Sequence, residues 1–591
     1  MIDRLSPRTK QWILRTFLAA GFLLPLRGLL RSQGPPMDEG FMLVFPEQVL
    51  RGYLPNEDFL HLYGPGSLWW LAGIFKIFGM LLEVERLAAL VQMVAVVSGV
   101  TIIAKRWSRT LALACGGVSL VIIIPPIGLT ALAWVGAVGL GILGVACATA
   151  SVGEDKSERG AARLAFFGGL LFGSALLFRL DLVVAVGLAG ISLVRAFDKR
   201  RRLNLISGVL VGISPYLVHI ATAGPYNVFR GMVLDPVVYL RGGRTLPLPP
   251  SFTTLAGFLQ RAGDYGSVGK LDWPLPTFGA AAQIAIWFWA LLATVGLIMY
   301  VATRRNRRTG GTLRSVSLIT VAWFSIGLLP QAMQRADSAH LAWVSCVPLA
   351  LLPVAIRELL ESRRGLSWTP RHLDLAAVLP IVLFISLVIP RYILNTYADF
   401  TAQTFGRHRY SYLVERGDRR FYYGRIEVAD AAQYGVIPAL DAASHSGDSL
   451  IVATADLRKT PYSDAYLYYL YPELKVGTYY IEMDPGVANA ADSKLPQEIA
   501  VADFLVLSSV WHDWDEPNDA RDAIDNGSNS AVRENFVCLG EFGMLPPSAP
   551  APMDFIYQVW MNEALVAERG LPHGALGEHG RACSQGLMLA D

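Results

Sequence analysis

Eleven mostly apolar runs of 16 to 24 residues follow one another through the first two thirds of the chain, at 11–30, 86–104, 110–125, 127–150, 161–178, 181–197, 203–222, 279–301, 315–332, 341–356 and 373–392. A bilayer core about 30 Å thick takes about 20 residues of helix to cross. In lipid every backbone polar group must be satisfied inside the segment, so runs of this kind fold as spanning helices. The composition agrees: 53% of the 591 residues are hydrophobic and only 17% are charged, which is too little charge for a soluble enzyme of this length. Residues 1–392 carry 37 Lys and Arg against 20 Asp and Glu, whereas residues 393–591 carry 14 against 28. The chain therefore reads as a basic membrane domain, 1–392, and an acidic soluble domain, 393–591, long enough for its own core. Nucleic-acid binding is excluded, because the basic residues sit in short clusters between apolar runs and form no continuous patch.

The run at 11–30 is interrupted by Arg15 and Arg27 and is followed by no small-residue cleavage site, so it is expected to be a retained span. A twelfth stretch, 66–82, contains Lys76, and whether it spans decides the orientation of everything after it. If it does not, one set of loops holds 20 cations, including Lys105, Arg106, Lys199 to Arg202, Arg304 and Arg305, and the opposite set holds seven. Cations accumulate on the cytoplasmic side. Segment 66–82 is therefore expected to lie at the outer interface, with Trp69 and Trp70 at headgroup depth and Lys76 snorkelling. Eleven spans follow, with a cytoplasmic N-terminus and an extracytoplasmic C-terminal domain at the cell membrane.

On this topology two outer loops are long, 31–85 and 223–278, and long loops in a compact domain are commonly functional. The first reads Met37-Asp38-Glu39-Gly40, an amphipathic stretch from Phe41 to Leu50, Gly52-Tyr53-Leu54-Pro55-Asn56-Glu57-Asp58-Phe59, and His61-Leu62-Tyr63-Gly64-Pro65. Asp38 precedes a periodic apolar run and is suited to cap it, with Glu39 in the first turn. A carboxylate held there also stays ionised, as a general base must.

This string, completed by the helix Leu68-x-x-Leu71-x-x-Ile74-Phe75-x-x-Phe78-Gly79, resembles the first outer loop of the GT-C superfamily. These are glycosyltransferases that use polyprenyl-phosphate sugars and include protein O-mannosyltransferases, aminoarabinose transferases and arabinofuranosyltransferases. The likeness covers roughly residues 10–210, and the rest of the membrane domain by general topology. It implies an inverting transferase that moves a sugar from a polyprenyl-phosphate donor to an extracytoplasmic glycan, lipid or protein. It implies Asp38 as the base that takes the acceptor proton, with Glu39 supporting it and Asp58 at the loop's second acidic position. Aminoarabinose transferases carry a Lys for the lipid phosphate where this chain reads His61-Leu62-Tyr63, so the phosphate must be held here by other cations.

The best candidates are Arg335, Asp337 and His340 in a tight outer turn, since such residues at membrane depth are expensive and usually functional. The alternative is that Arg335 and Asp337 simply pair. Arg241-Gly242-Gly243-Arg244 is a flexible basic pair suited to a phosphate, or else a solvated loop. Arg179 and Asp181 are expected to form a structural ion pair. The tail alternates β and helical runs, at 449–454, 466–470, 502–508, 535–538 and 555–560, and is expected to be an α/β domain. Its tyrosines from Tyr462 to Tyr480, with Trp511 and Trp514, are expected to fill its core, and Asp513-x-Asp515 is expected to be a polar loop. Only Cys538 and Cys583 are placed to form a disulfide there; Cys115, Cys147 and Cys346 sit in apolar runs. No cofactor is expected, no metal-type Cys/His cluster exists, and a divalent-metal requirement stays open. Two other function classes fit a chain of many spans: a flippase for lipid-linked sugars, and a non-catalytic, glycan-binding assembly subunit. Against the first, there is no internal repeat and no matched pair of broken helices.

Overall fold

A computed structural model describes residues 6–34, 36–124, 128–153, 156–249, 278–362, 368–406, 411–511, 516–544, 555–572 and 580–583. The first half runs α1 (Pro7–Leu23), α2 (Leu26–Arg31), α3 (Pro36–Leu50), α4 (Pro65–Phe78), α5 (Leu82–Ala104), α6 (Arg109–Ile123), α7 (Ala133–Ala150), α8 (Glu158–Phe178), α9 (Val183–Ala196), α10 (Lys199–Ile213) and α11 (Pro215–Ala223). The bundle is completed by α12 (Ala280–Thr309), α13 (Leu313–Gln334), α14 (Ser338–Ser345), α15 (Pro348–Glu361) and α16 (Pro370–Leu387). Among the described residues, eight helices or helix pairs are long and apolar enough to cross a membrane, or nine if α14 and α15, bent by 45°, make one span. The runs at 110–125 and 181–197 form α6 and α9, of only 15 and 14 residues. The sequence explains α6, since Pro125 and Pro126 cannot continue a helix. Helix α4 has 14 residues, about 21 Å of helix, and is likewise shorter than the bilayer core.

The N-caps divide by side. Helices α6, α8, α10, α13 and α16 start beside the basic clusters, capped by Ser108, Ser157, Asp198, Thr312 and Thr369. At the opposite end α5, α7, α9 and α12 start without a side-chain cap, and the exception there is Asp337, which caps α14. Small residues set the closest crossing. Gly169 and Gly173 of α8 face Gly208 and Gly212 of α10, and a Cβ at Gly169 or Gly208 would lie 2.0 or 2.1 Å from a carbonyl oxygen of the other helix. Such spacing lets backbones approach where no hydrophobic force separates helix from lipid.

The C-terminal domain has a hairpin, β1 (Tyr412–Arg416) with β2 (Arg419–Tyr423), and a six-stranded mixed sheet. The sheet order is β4-β3-β5-β7-β6-β8, built from β3 (Ser449–Thr454), β4 (Lys475–Val476), β5 (Phe504–Ser508), β6 (Phe536–Met544), β7 (Phe555–Asn562) and β8 (Gly580–Arg581). Strands β4, β3 and β5 are parallel, and β7, β6 and β8 pair antiparallel. The run 466–470 is a short helix, Tyr466–Leu470. Tyr466, Tyr468, Tyr469, Tyr471 and Tyr480 are buried, as expected of core residues, but Tyr462 and Tyr479 remain partly exposed. Cys538 and Cys583 form a disulfide. The Asp513-x-Asp515 stretch and Trp514 lie outside the described residues.

Helix α3 lies between the bundle and this domain. Residues 39–48 are buried on every side, so the amphipathic helix read from the sequence is instead a wholly enclosed one. The contact explains the glycine of the Asp-Glu-Gly string: a Cβ at Gly40 would sit 2.8 Å from the backbone nitrogen of Tyr466.

Candidate functional site

Helix α3 starts at Pro36, two residues before the expected cap, so Asp38 and Glu39 both lie in its first turn. Two buried ion pairs clamp the helix. At its start Glu39 accepts two hydrogen bonds from Arg86 of α5, Nε to Oε1 at 2.6 Å and Nη2 to Oε2 at 2.9 Å, while Nη1 of Arg86 donates to the Leu29 carbonyl at 2.9 Å. At its far end Glu47 is shared by Arg51 at 2.6 Å and by Arg419 of β2 at 2.7 Å. Glu39 is thus committed to a guanidinium, while Asp38, its neighbour, is half-buried. Burial pushes the Asp38 carboxyl up to about 6, against the pull of the Arg244 and Arg335 charges.

The charges that act on Asp38 come from distant parts of the chain. Arg335 ends α13 and bonds Asp337 at 3.3 Å and the Arg244 carbonyl at 3.1 Å. Its Nη1 and Nη2 also donate to both oxygens of Glu516 in the C-terminal domain. Arg244, on a single helical turn at Arg241–Arg244, bonds Asp484 and approaches Glu482 at 3.6 Å. Burial and the nearby Asp484 push the Glu482 carboxyl well above the usual range. Asp337 accepts from the His340 backbone N–H at 2.9 Å and meets His340 Nδ1 at 2.9 Å. Burial alone would raise its carboxyl, but His340 and Arg335 hold it down at about 2.

The sequence candidates divide accordingly. Asp38, Tyr63, Arg244, Arg335, Asp337 and His340 share one cluster. The Tyr63 hydroxyl is pushed up by burial and feels Arg244, Arg179 and Asp38, and its ring lies 4.5 Å from the Arg179 guanidinium carbon. Three candidates read differently in the structure. Asp58 is exposed and accepts the Leu54 N–H at 2.7 Å, closing its own turn outside the cluster. His61 is fully enclosed, its ring nitrogens without hydrogen-bond partners among the described residues, and burial drives its imidazole down to about 3. A neutral ring of this kind offers a phosphate no charge. Arg241 points into solvent. Among the described residues no group of three or more His, Cys, Asp or Glu side chains is arranged to hold a metal ion.

Sequence reading missed Arg86, Glu482, Asp484 and Glu516. Arg86 had a usable signal, since an arginine inside the first turns of a span needs a buried partner. The tail residues had none, because their partners are 181 and 240 positions away. Arg179 forms the expected pair with Asp181 at 3.0 Å, yet its guanidinium also faces the cluster.

The overall fold is similar to that of solved structures. ArnT from Cupriavidus metallidurans in the apo state aligns with a TM-score of 0.50 at 12% identity, over 94% of this chain and 98% of that one. The same protein bound to undecaprenyl phosphate aligns with a TM-score of 0.49 at 13% identity, over 93% and 98%. The archaeal oligosaccharyltransferase AglB from Archaeoglobus fulgidus, in complex with an inhibitory peptide and a dolichol-phosphate, aligns with a TM-score of 0.44 at 12% identity, over 93% and 75%. No protein-family model and no curated protein matches the chain. The chain has the GT-C fold: a multi-pass membrane helical domain followed by a C-terminal sheet-containing domain.

Proposed function

We propose that this chain is an inverting glycosyltransferase that takes a sugar from a polyprenyl-phosphate donor and passes it to an extracytoplasmic acceptor. The observation that carries the reading is Asp38: a carboxyl clamped through Glu39, raised to about 6, and facing arginines on the GT-C fold. A general base is most effective when its pKa lies near the working pH. In the reaction, Asp38 takes the proton of the acceptor hydroxyl as that oxygen bonds to C1 of the sugar. The bond from C1 to the phosphate oxygen breaks, and its electron pair leaves with the lipid phosphate. Fixed positive charge in a water-poor site stabilises that departing charge. The disulfide between Cys538 and Cys583 supports an extracytoplasmic C-terminal domain, because disulfides persist in oxidising compartments. The positive-inside distribution supports a cytoplasmic N-terminus and a place in the cell membrane. The test is transfer by the purified full chain from a panel of synthetic polyprenyl-phosphate sugars to envelope glycan, lipid and peptide acceptors. Turnover with at least one donor is expected. Failure with every donor, while the chain stays folded, would overturn the reading.

A further inference from the structure

Three arginines surround the pair Tyr63 and His340, Arg179 and Arg244 acting on Tyr63 and Arg179 and Arg335 on His340, and they differ in what already holds them. Arg335 is taken by Glu516 and Asp337, and Arg244 by Asp484 and Glu482. Arg179 is bound through one nitrogen: its Nε meets Asp181 at 3.0 Å, and Asp181 is itself 48% exposed. Neither terminal nitrogen of Arg179 has a hydrogen-bond acceptor among the described residues. Its guanidinium carbon lies 4.5 Å from the centre of the Tyr63 ring and 5.0 Å from that of Trp134. Trp134, in the first turn of α7, is 3% exposed, and its Nε1–H is buried without a partner among the described residues. The start of α7 has no side-chain cap either. Buried N–H groups are almost always satisfied, so an orphan beside an underused guanidinium marks a place where an acceptor is supplied from outside the protein.

We propose that Arg179 and the Trp134 indole N–H hold a lipid-borne phosphate, the leaving group of the transfer described above. The assignment rests on that reading and adds to it the residues that meet the charge. A sugar phosphodiester carries one negative charge. When the C1–oxygen bond breaks and the acceptor proton goes to Asp38, the released lipid phosphate carries a second. The planar guanidinium of Arg179 presents two terminal nitrogens toward the phosphate, so it meets that second charge as it forms. Its largest effect therefore falls on kcat, with a smaller one on KM.

The test uses the full chain in nanodiscs and two readouts: binding of polyprenyl phosphate against polyprenol and phosphatidylglycerol, and turnover of the active donor. Arg179→Gln is expected to lower kcat by about 10²–10³-fold, the usual loss of a charge-stabilising donor, and to weaken polyprenyl phosphate without affecting polyprenol. Trp134→Phe keeps the ring and removes the N–H, and should weaken polyprenyl phosphate by about tenfold. Asp181→Asn should change neither readout by more than about threefold, because half-exposed pairs are worth little. Equal losses in Asp181→Asn and Arg179→Gln would reduce Arg179 to an ion-pair partner and overturn the proposal. Phosphatidylglycerol competing as well as polyprenyl phosphate would overturn the leaving-group assignment. If Arg179→Gln does not fold, Trp134→Phe and Arg179→Lys decide, and polyprenyl phosphate binding unchanged in both would refute the site. The two readings fail separately. A wild-type chain that binds polyprenyl phosphate through Arg179 but transfers nothing loses the transferase reading and keeps the site. One that transfers equally well with Arg179→Gln keeps the reading and loses the site.

Discussion

Replacing Arg86 by Met should separate what holds the first outer loop together from what makes it work. Arg86 and Glu39 are 1% and 0% exposed and joined by two hydrogen bonds of 2.6 and 2.9 Å. The single change leaves the Glu39 carboxylate enclosed with little beyond the nearby Gly34 backbone to meet it. Breaking a buried pair from one side costs about 3–5 kcal/mol, whereas removing both charges is often neutral. Arg86→Met alone should thus lower the apparent Tm by several degrees, and Arg86→Met/Glu39→Leu should recover most of that loss. Turnover should not recover with it. Asp38 is the residue before Glu39 in the same helical turn, and misplacing a reacting group by about 1 Å costs about 10²-fold. The assay is thermal unfolding of the detergent-purified chain beside kcat and KM for the active donor. A double variant that is stable and has wild-type kcat would show that the clamp serves folding alone, and would refute the claim that it positions the base.

Asp38→Asn should leave folding intact and lower kcat by about 10²–10⁴-fold, measured as single-turnover transfer. The base acts ionised and its carboxyl sits at about 6, so kcat/KM should rise with pH below about 6 and level off above; a flat profile from pH 5 to 8 would remove Asp38 from the role. Arg335 pulls the same carboxyl down, so Arg335→Met/Glu516→Leu should keep stability while its acid limb moves to higher pH, and an unmoved limb would place Arg335 outside the electrostatics of the site. For topology, a cysteine at Glu57 should react with an impermeant maleimide on intact cells and one at Arg201 should not; labelling at Arg201 would invert the orientation drawn from the positive charges.

The membrane helices were legible because about 20 apolar residues in a row have few other fates, and the caps Ser108, Ser157, Asp198, Thr312 and Thr369 mark their starts locally. Helix α3 was half legible. Its existence followed from spacing, but its start at Pro36 moved Asp38 from the cap into the first turn, and its burial on all sides depended on a domain whose Arg419 is 372 positions beyond Glu47. Asp58 matched the loop's second acidic position by letters alone; only the fold shows it bonded to Leu54 in an exposed turn.

The arginines show most sharply where sequence reading stops. A sequence reports which cations lie on the right side of the membrane, and by that measure Arg335 and Arg244 were the natural phosphate ligands. The pairing of Arg335 with Asp337, two residues along, could be read from it, but the anions that complete the hold on both arginines could not, because Glu516 and Asp484 lie 181 and 240 positions away. Arg179 has no such distant anion among the described residues. Its anion, Asp181, is two residues along and plain to read, which made a closed ion pair the obvious assignment. What leaves its terminal nitrogens open is tertiary: Tyr63 and Trp134 bring ring faces to the guanidinium, and a ring face attracts a cation without using up its N–H groups. A cation cradled by aromatics is held in place and still able to bind, and a phosphate that gains charge during a reaction needs that combination.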